Sequence, residues 1–222
     1  FPYTTLFRSY CNTSGYTRDT EAYTYTHKSG GSSGGSSGNT SNVNSSSGNI
    51  YIYQDINYGG RVASLGEGSY NLASLQAKGF KNDDLSSLKV PFGYKVTLYA
   101  DDNFSGRTKV ITNDTSWIGS DFNDITSSIK VEKAKYTIIN KHSGKVLDVS
   151  GSNTNNGANV QQWDSNGTNA QKWYIHQNSD YSYTITSVIN GKALDVDAWS
   201  KNNGANVQMW DCGNSQSNQQ WW

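Results

Sequence analysis

Between Asn49 and Glu132, apolar and polar residues alternate in short runs, IYIY at 50–53 and YKVTLYA at 94–100, separated by Gly and Asn/Asp turns. A period of two marks half-buried strands, and tight turns between such runs mark antiparallel pairing. No sustained 3.6-residue period is present, so the pattern predicts an all-β domain over 50–133. Before it, from Ser29 to Asn49, the only apolar residue is Val43 and the rest are Ser, Gly, Asn and Thr. Such a segment cannot repay the entropy of ordering itself and reads as a linker. A Gly/Ser coil of about 20 residues spans roughly 25 Å, enough for flanking domains to move independently.

The strand region repeats. Tyr53 is followed seven residues later by Gly60 within YQDINYGG, and Tyr99 seven residues later by Gly106 within YADDNFSG, 46 residues further on. Each copy closes on a second matching string, NDDLSSLKV at 82–90 and NDITSSIKV at 123–131. This pair of aromatic-to-glycine hairpins resembles the βγ-crystallin family, whose domain is a sandwich of two Greek keys. In microbial members of that family the pattern Asn/Asp, Asn/Asp, any, any, Ser/Thr, Ser marks calcium sites. Both copies match it, and the resemblance implies Ca²⁺ ligands at Asn82, Asp83 and Ser86 and at Asn123, Asp124 and Ser127, completed by a carbonyl from the other Greek key. Carboxylate, amide and hydroxyl oxygens are the donors that a hard cation with six to eight ligands requires. Asx and Ser residues also cap turns without any ion, and that alternative stays open here. Trp117 and Phe122 are expected in the core.

A second repeat begins near Lys135. GKVLDVSGSNTNNGANVQQWD at 144–164 is answered by GKALDVDAWSKNNGANVQMWD at 191–211, and each unit ends in a further Gln-x-Trp, at 171–173 and 219–221. These units resemble the ricin B-chain-like β-trefoil lectins and related carbohydrate-binding modules, in which a unit of about forty residues occurs three times. Two units are present, so the expectation is an incomplete β-trefoil over 134–222. Sugar recognition needs an aromatic face for the C–H side of a pyranose and carboxylate and amide groups for its hydroxyls. The resemblance implies Asp148, Gln161, Trp163 and Gln171 in unit one. In unit two it implies Asp195, Gln208, Trp210, Asn218 and Gln219. Unit one has Ala170 where unit two has Asn218, which favours unit two; Asn169 is a neighbouring substitute. Trp173 and Trp221 are assigned to structure, and a core role for Trp163 and Trp210 is the alternative to stacking. The intra-unit disulfide of many relatives has no counterpart, which leaves Cys212 single and expected to be half-buried.

Composition narrows the function classes. The chain has 222 residues with 18 Lys+Arg against 18 Asp+Glu, which lacks the basic excess that phosphate contacts demand and argues against nucleic acid as a partner. No apolar run approaches about 18 residues, so no membrane span is expected. The three His and the few Glu fall in no catalytic pattern, with no HExxH, no GxSxG and no supported carboxylate pair, so catalysis by this stretch is not expected. The first nine residues, FPYTTLFRS, match a translated short-read sequencing adapter and are expected to be extraneous; residues 10–28, too short to bury a core, are expected to be the remnant of an upstream domain in cis. The combined reading is a secreted, non-catalytic region that binds Ca²⁺ and a galactose- or xylose-type carbohydrate, accessory to a polysaccharide-degrading enzyme. The alternatives are the cell-binding part of a toxin or adhesin, or a calcium-stabilised spacer.

Overall fold

A computed structural model describes residues 48–214 and 216–222. The readings of residues 1–9 and 10–28, and of the linker up to residue 47, lie outside the described residues. The first half contains strands β1 (Ile50–Asp55), β2 (Gly59–Leu65) and β3 (Gly68–Tyr70), helix α1 (Leu72–Ala77), and strands β4 (Ser87–Lys89), β5 (Tyr94–Asp101), β6 (Ser105–Ile111) and β7 (Ser128–Lys133). The helix departs from the expected all-β pattern, as do short 3-10 turns at Ile56–Tyr58 and Asp102–Phe104. α1 is a short turn that starts at Asn71, whose side chain accepts from the Ser74 N–H at 2.9 Å, and it buries Leu75.

Two sheets form, one ordered β2-β1-β4 and the other β3-β7-β5-β6. The two copies of the repeat are interlocked, one lending a strand and the other a bridging residue. β3 belongs to the first copy but pairs with β7 of the second, and Thr115 of the second copy bridges Leu88 in β4 of the first. The alternating runs explain the core: Ile50, Ile52, Leu65 and Leu88 face inward from one sheet and Val96, Leu98, Ile129 and Val131 from the other. Phe122 joins this core as expected, whereas Trp117 is 54% exposed and does not.

The second half is one curled sheet, the form of a partial trefoil. Its strands are β8 (Val146–Val149), β9 (Ala158–Trp163), β10 (Trp173–Gln177), β11 (Tyr183–Ser187), β12 (Ala193–Val196), β13 (Val207–Trp210) and β14 (Gln220–Trp221), ordered β10-β11-β12-β13-β9-β8 with β14 on β11. The two units are superimposable in register, since Asp148 faces Gln161 and Asp195 faces Gln208. They meet where β9 pairs with β13, and there Asn156 of unit one accepts from Lys192 and donates to Asp211 of unit two. Trp173 is fully buried, its Nε1 donating to the Leu147 carbonyl at 3.1 Å, and Trp221 makes the equivalent bond to Leu194 at 3.0 Å. Both are structural, as expected. Cys212 is exposed rather than half-buried.

Both halves lie within one compact unit, Asn42–Trp222. Phe92, in the connection between the two Greek keys, leaves its own domain and packs into the trefoil core. It stacks on Tyr136 at 5.7 Å between ring centres and meets Tyr183 edge-on at 5.6 Å.

Candidate functional site

In the first half, β1 and β2 join through a hairpin in which Asn57 and Tyr58 take left-handed φ of 56° and 63°, and Asn103 and Phe104 repeat it at 54° and 61°. Tyr53 packs edge-on against Tyr58, and Tyr99 against Phe104. Gly60 follows with φ +69°, and a β-carbon there would lie 2.6 Å from an Asp55 carboxylate oxygen, so the glycine of each hairpin is required. The strings at 82–87 and 123–128 lie directly against these hairpins. Ser87 donates to the Asp55 carbonyl and accepts from the Tyr58 N–H, and Ser128 does the same for Asp101 and Phe104.

The remaining letters of each string form an oxygen-rich turn. Asp83 and Asp124 hold left-handed φ of 54° and 55°, a conformation that Asp and Asn tolerate best among residues with side chains. Asn82 donates to the Asp83 carboxylate and Asn123 to that of Asp124. Strand exchange brings the two copies together: Ser127 Oγ of the second lies 3.4 Å from Asp83 Oδ1 of the first. Ser86 is buried at the position equivalent to Ser127. Asn123 Oδ1 is buried without a hydrogen-bond partner among the described residues, an acceptor left over in an oxygen cluster. No three His, Cys, Asp or Glu side chains cluster among the described residues, so any cation here would rest on amide, hydroxyl and backbone oxygens as well as carboxylate.

In the second half, β12 and β13 hold Asp195 beside Gln208. Asp195 is 3% exposed, and its carboxylate accepts from three side-chain amides: Gln208 at 3.3 Å, Asn218 at 2.7 Å and Gln219 at 2.9 Å. Trp210 stands 43% exposed on the same hairpin. Unit one is a poorer copy. Asp148 accepts from Gln161 and Gln171, both at 3.1 Å, Ala170 supplies nothing, and exposed Asn169 does not reach Asp148. Trp163 is 55% exposed, so neither Trp163 nor Trp210 is a core aromatic.

Two of the expected residues lie deepest in the cluster. Gln171 and Gln219 are each 1% exposed, and their amides are shared between the carboxylate and the carbonyls of Asp164 and Asp211. Each thereby fixes the aspartate of its unit to the end of the following strand. Two residues were not anticipated. Asp197 accepts from Gln208 at 3.0 Å, and Trp199 lies exposed two positions on. Alignment of the two units held the signal, since unit one has Ser150 and Ser152 at these positions.

Comparison with known proteins places both halves. A family model described as ricin-type beta-trefoil lectin domain-like matches residues 124–210 and 176–222, and one described as peptidase inhibitor family I36 matches residues 52–111. A development-specific protein S homolog of Myxococcus xanthus is 31% identical over 107 residues, covering 46% of this chain. The chain spans 61% of the length of that relative. A double mutant of a βγ-crystallin domain from Clostridium beijerinckii is 45% identical, covering 39% of this chain and 98% of that one, with a TM-score of 0.38. A βγ-crystallin domain from Flavobacterium johnsoniae is 46% identical over 38% of this chain and 93% of that one, also with a TM-score of 0.38. By these sequence matches the chain carries a βγ-crystallin domain in its first half and ricin-type β-trefoil lectin units in its second.

Proposed function

We propose that this chain is a non-catalytic binding region that takes a neutral sugar on its trefoil units, chiefly unit two, and Ca²⁺ on its paired Greek keys. The observation that carries the sugar reading is the Asp195 carboxylate, almost fully buried yet held by three amides, beside an exposed indole. Three charge-assisted bonds fix the carboxylate where it can accept from sugar hydroxyls, and Trp210 offers the flat apolar face that a pyranose requires. Asn218 adds an oxygen, Oδ1, that is buried and without a hydrogen-bond partner among the described residues. Balanced charge over the whole chain suits an uncharged ligand.

The calcium reading is supported by the oxygen clusters. Asp83 with Ser127, and by the internal repeat Asp124 with Ser86, would hold one ion each, with Asn82 and Asn123 contributing to the two turns. A bound ion would bridge the two Greek keys and neutralise the carboxylate of each turn. In the wider reading the chain is a secreted accessory region that tethers a polysaccharide-degrading enzyme to its substrate, a gain in effective concentration and not in chemistry. The Ser/Gly composition of residues 29–49 supports such a tether.

Retention on immobilised galactose and on xylan tests the sugar reading. Asp195→Ala or Trp210→Ala is expected to abolish retention while Asp148→Ala weakens it only in part, and full retention by the Asp195 variant would overturn the assignment. For calcium, the melting temperature is expected to rise with added Ca²⁺, by the equivalent of about 2.7 kcal/mol at a hundred times Kd. Ser127→Ala or Asp83→Ala should reduce that rise.

A further inference from the structure

We propose that unit two binds an oligosaccharide and not a single ring, with Trp199 as a second aromatic platform and Asp197 as a second carboxylate at the mouth of the site. This rests on the sugar-binding reading of unit two. Asp197 belongs to the same cluster as Asp195, because one amide nitrogen, Gln208 Nε2, lies 3.0 Å from Asp197 Oδ1 and 3.3 Å from Asp195 Oδ1. The turn that follows is pinned to β13 by the Asp197 N–H on the Asn206 carbonyl at 3.0 Å, and is closed by the Ser200 N–H on the Asp197 carbonyl at 3.0 Å. Trp199 is therefore carried on a fixed turn that begins at Asp197.

Nothing in the fold explains an indole there. Trp199 is 55% exposed and makes no hydrogen bond or ring contact among the described residues. It also holds a left-handed φ of 55°, directly after Ala198 at 50°; Tyr58 and Phe104 take the same backbone, but each packs on a tyrosine of its own hairpin, and Trp199 has no such partner among the described residues. Unit one makes the same turn with Gly151, which such a backbone favours, and the small Ser152. A strained, exposed aromatic group beside a ligand site, where the sister copy has serine, is better explained by a ligand than by packing. Unit one is the internal control: where unit two has Asp197, Trp199 and Asn218, it has Ser150, Ser152 and Ala170, so each departure adds acceptor, donor or stacking surface at one place.

The test is calorimetric titration of the full chain with two series, D-xylose and xylotetraose, and D-galactose and β-1,4-galactotetraose. In the series that binds, the tetrasaccharide is expected to bind about ten-fold tighter than the monosaccharide, the worth of one added ring stack. Trp199→Ser, which installs the residue of unit one, should remove that gain and leave monosaccharide affinity unchanged, and Trp199→Tyr should restore it. An equal gain in the serine variant, or no gain in the parent chain, overturns the proposal. If Asp195→Ala leaves monosaccharide binding intact, or if no sugar of either series binds the parent chain, the unit-two reading itself fails and the proposal falls with it.

Discussion

Ser87 and Ser128 each tie two backbone groups of a hairpin that strand pairing does not reach, donating to the carbonyl of Asp55 or Asp101 and accepting from the N–H of Tyr58 or Phe104. Both serines are fully buried, so no water can replace them. Ser128→Ala would leave a donor and an acceptor unmet at once, and a loss of about 2 kcal/mol is expected in urea unfolding. As letters of a motif these serines looked like part of an ion site. Their hydroxyls are committed to the hairpin, which leaves the oxygen clusters to the aspartates, the asparagines, Ser86 and Ser127. Residue identity at a repeated spacing was enough to locate the turns, but it could not separate a hydroxyl that fastens backbone from one that faces an open cluster, because the two differ only in what lies opposite them.

Among the elements, the strands were the most legible, since alternation such as Ile50, Ile52 against Tyr51, Tyr53 assigns each side chain to a face. The unit-one loop at 153–157 was not. Its sequence recurs in unit two, and repetition says nothing about which copy touches which neighbour. In the structure, Asn156 completes a three-residue staple with Lys192 and Asp211 across the unit boundary. The Lys192 ammonium first, and then the Asn156 amide, hold the Asp211 carboxyl below the usual carboxylate range. A carboxylate with a lowered pKa lends stability that is fully present above about pH 4 and disappears as pH falls through the lowered value. Asp211→Asn is therefore expected to lower the melting temperature slightly at pH 7 and to flatten its decline below about pH 4, as read from melting curves across a pH series. Trp117 shows the opposite failure of pattern reading. An aromatic residue next to the buried Ile118 looks like core, yet in this turn the two neighbours face opposite ways.

For the molecule as a whole, the decisive contact is Phe92. The four-residue connection Val90-Pro91-Phe92-Gly93 reads in sequence as a plain turn, and the partners of Phe92, Tyr136 and Tyr183, lie 44 and 91 positions further along, beyond the reach of any local pattern. Gly93 permits the insertion, for a β-carbon there would come within 2.5 Å of the Ile175 carbonyl oxygen, and its own carbonyl accepts from the Ala134 N–H at 2.8 Å. Two domains joined by a shared aromatic cluster should melt together. Differential scanning calorimetry is expected to show one transition in the parent chain, and Phe92→Ala, at a cost of about 3 kcal/mol for a lost aromatic contact, should divide it into two.

The exchange of β3 and Thr115 between the two sheets sets how this domain can be divided at all. The first Greek key supplies a strand to the second, the second returns a single bridging residue, and each keeps only part of an oxygen cluster, Asp83 being on one side and Ser127 on the other. A single key cut from the chain would present an open sheet edge and half a cluster, and two identical halves brought together would repair both defects. The Phe92 connection is thus the covalent seam that keeps the two keys, and the two parts of each cluster, on one chain.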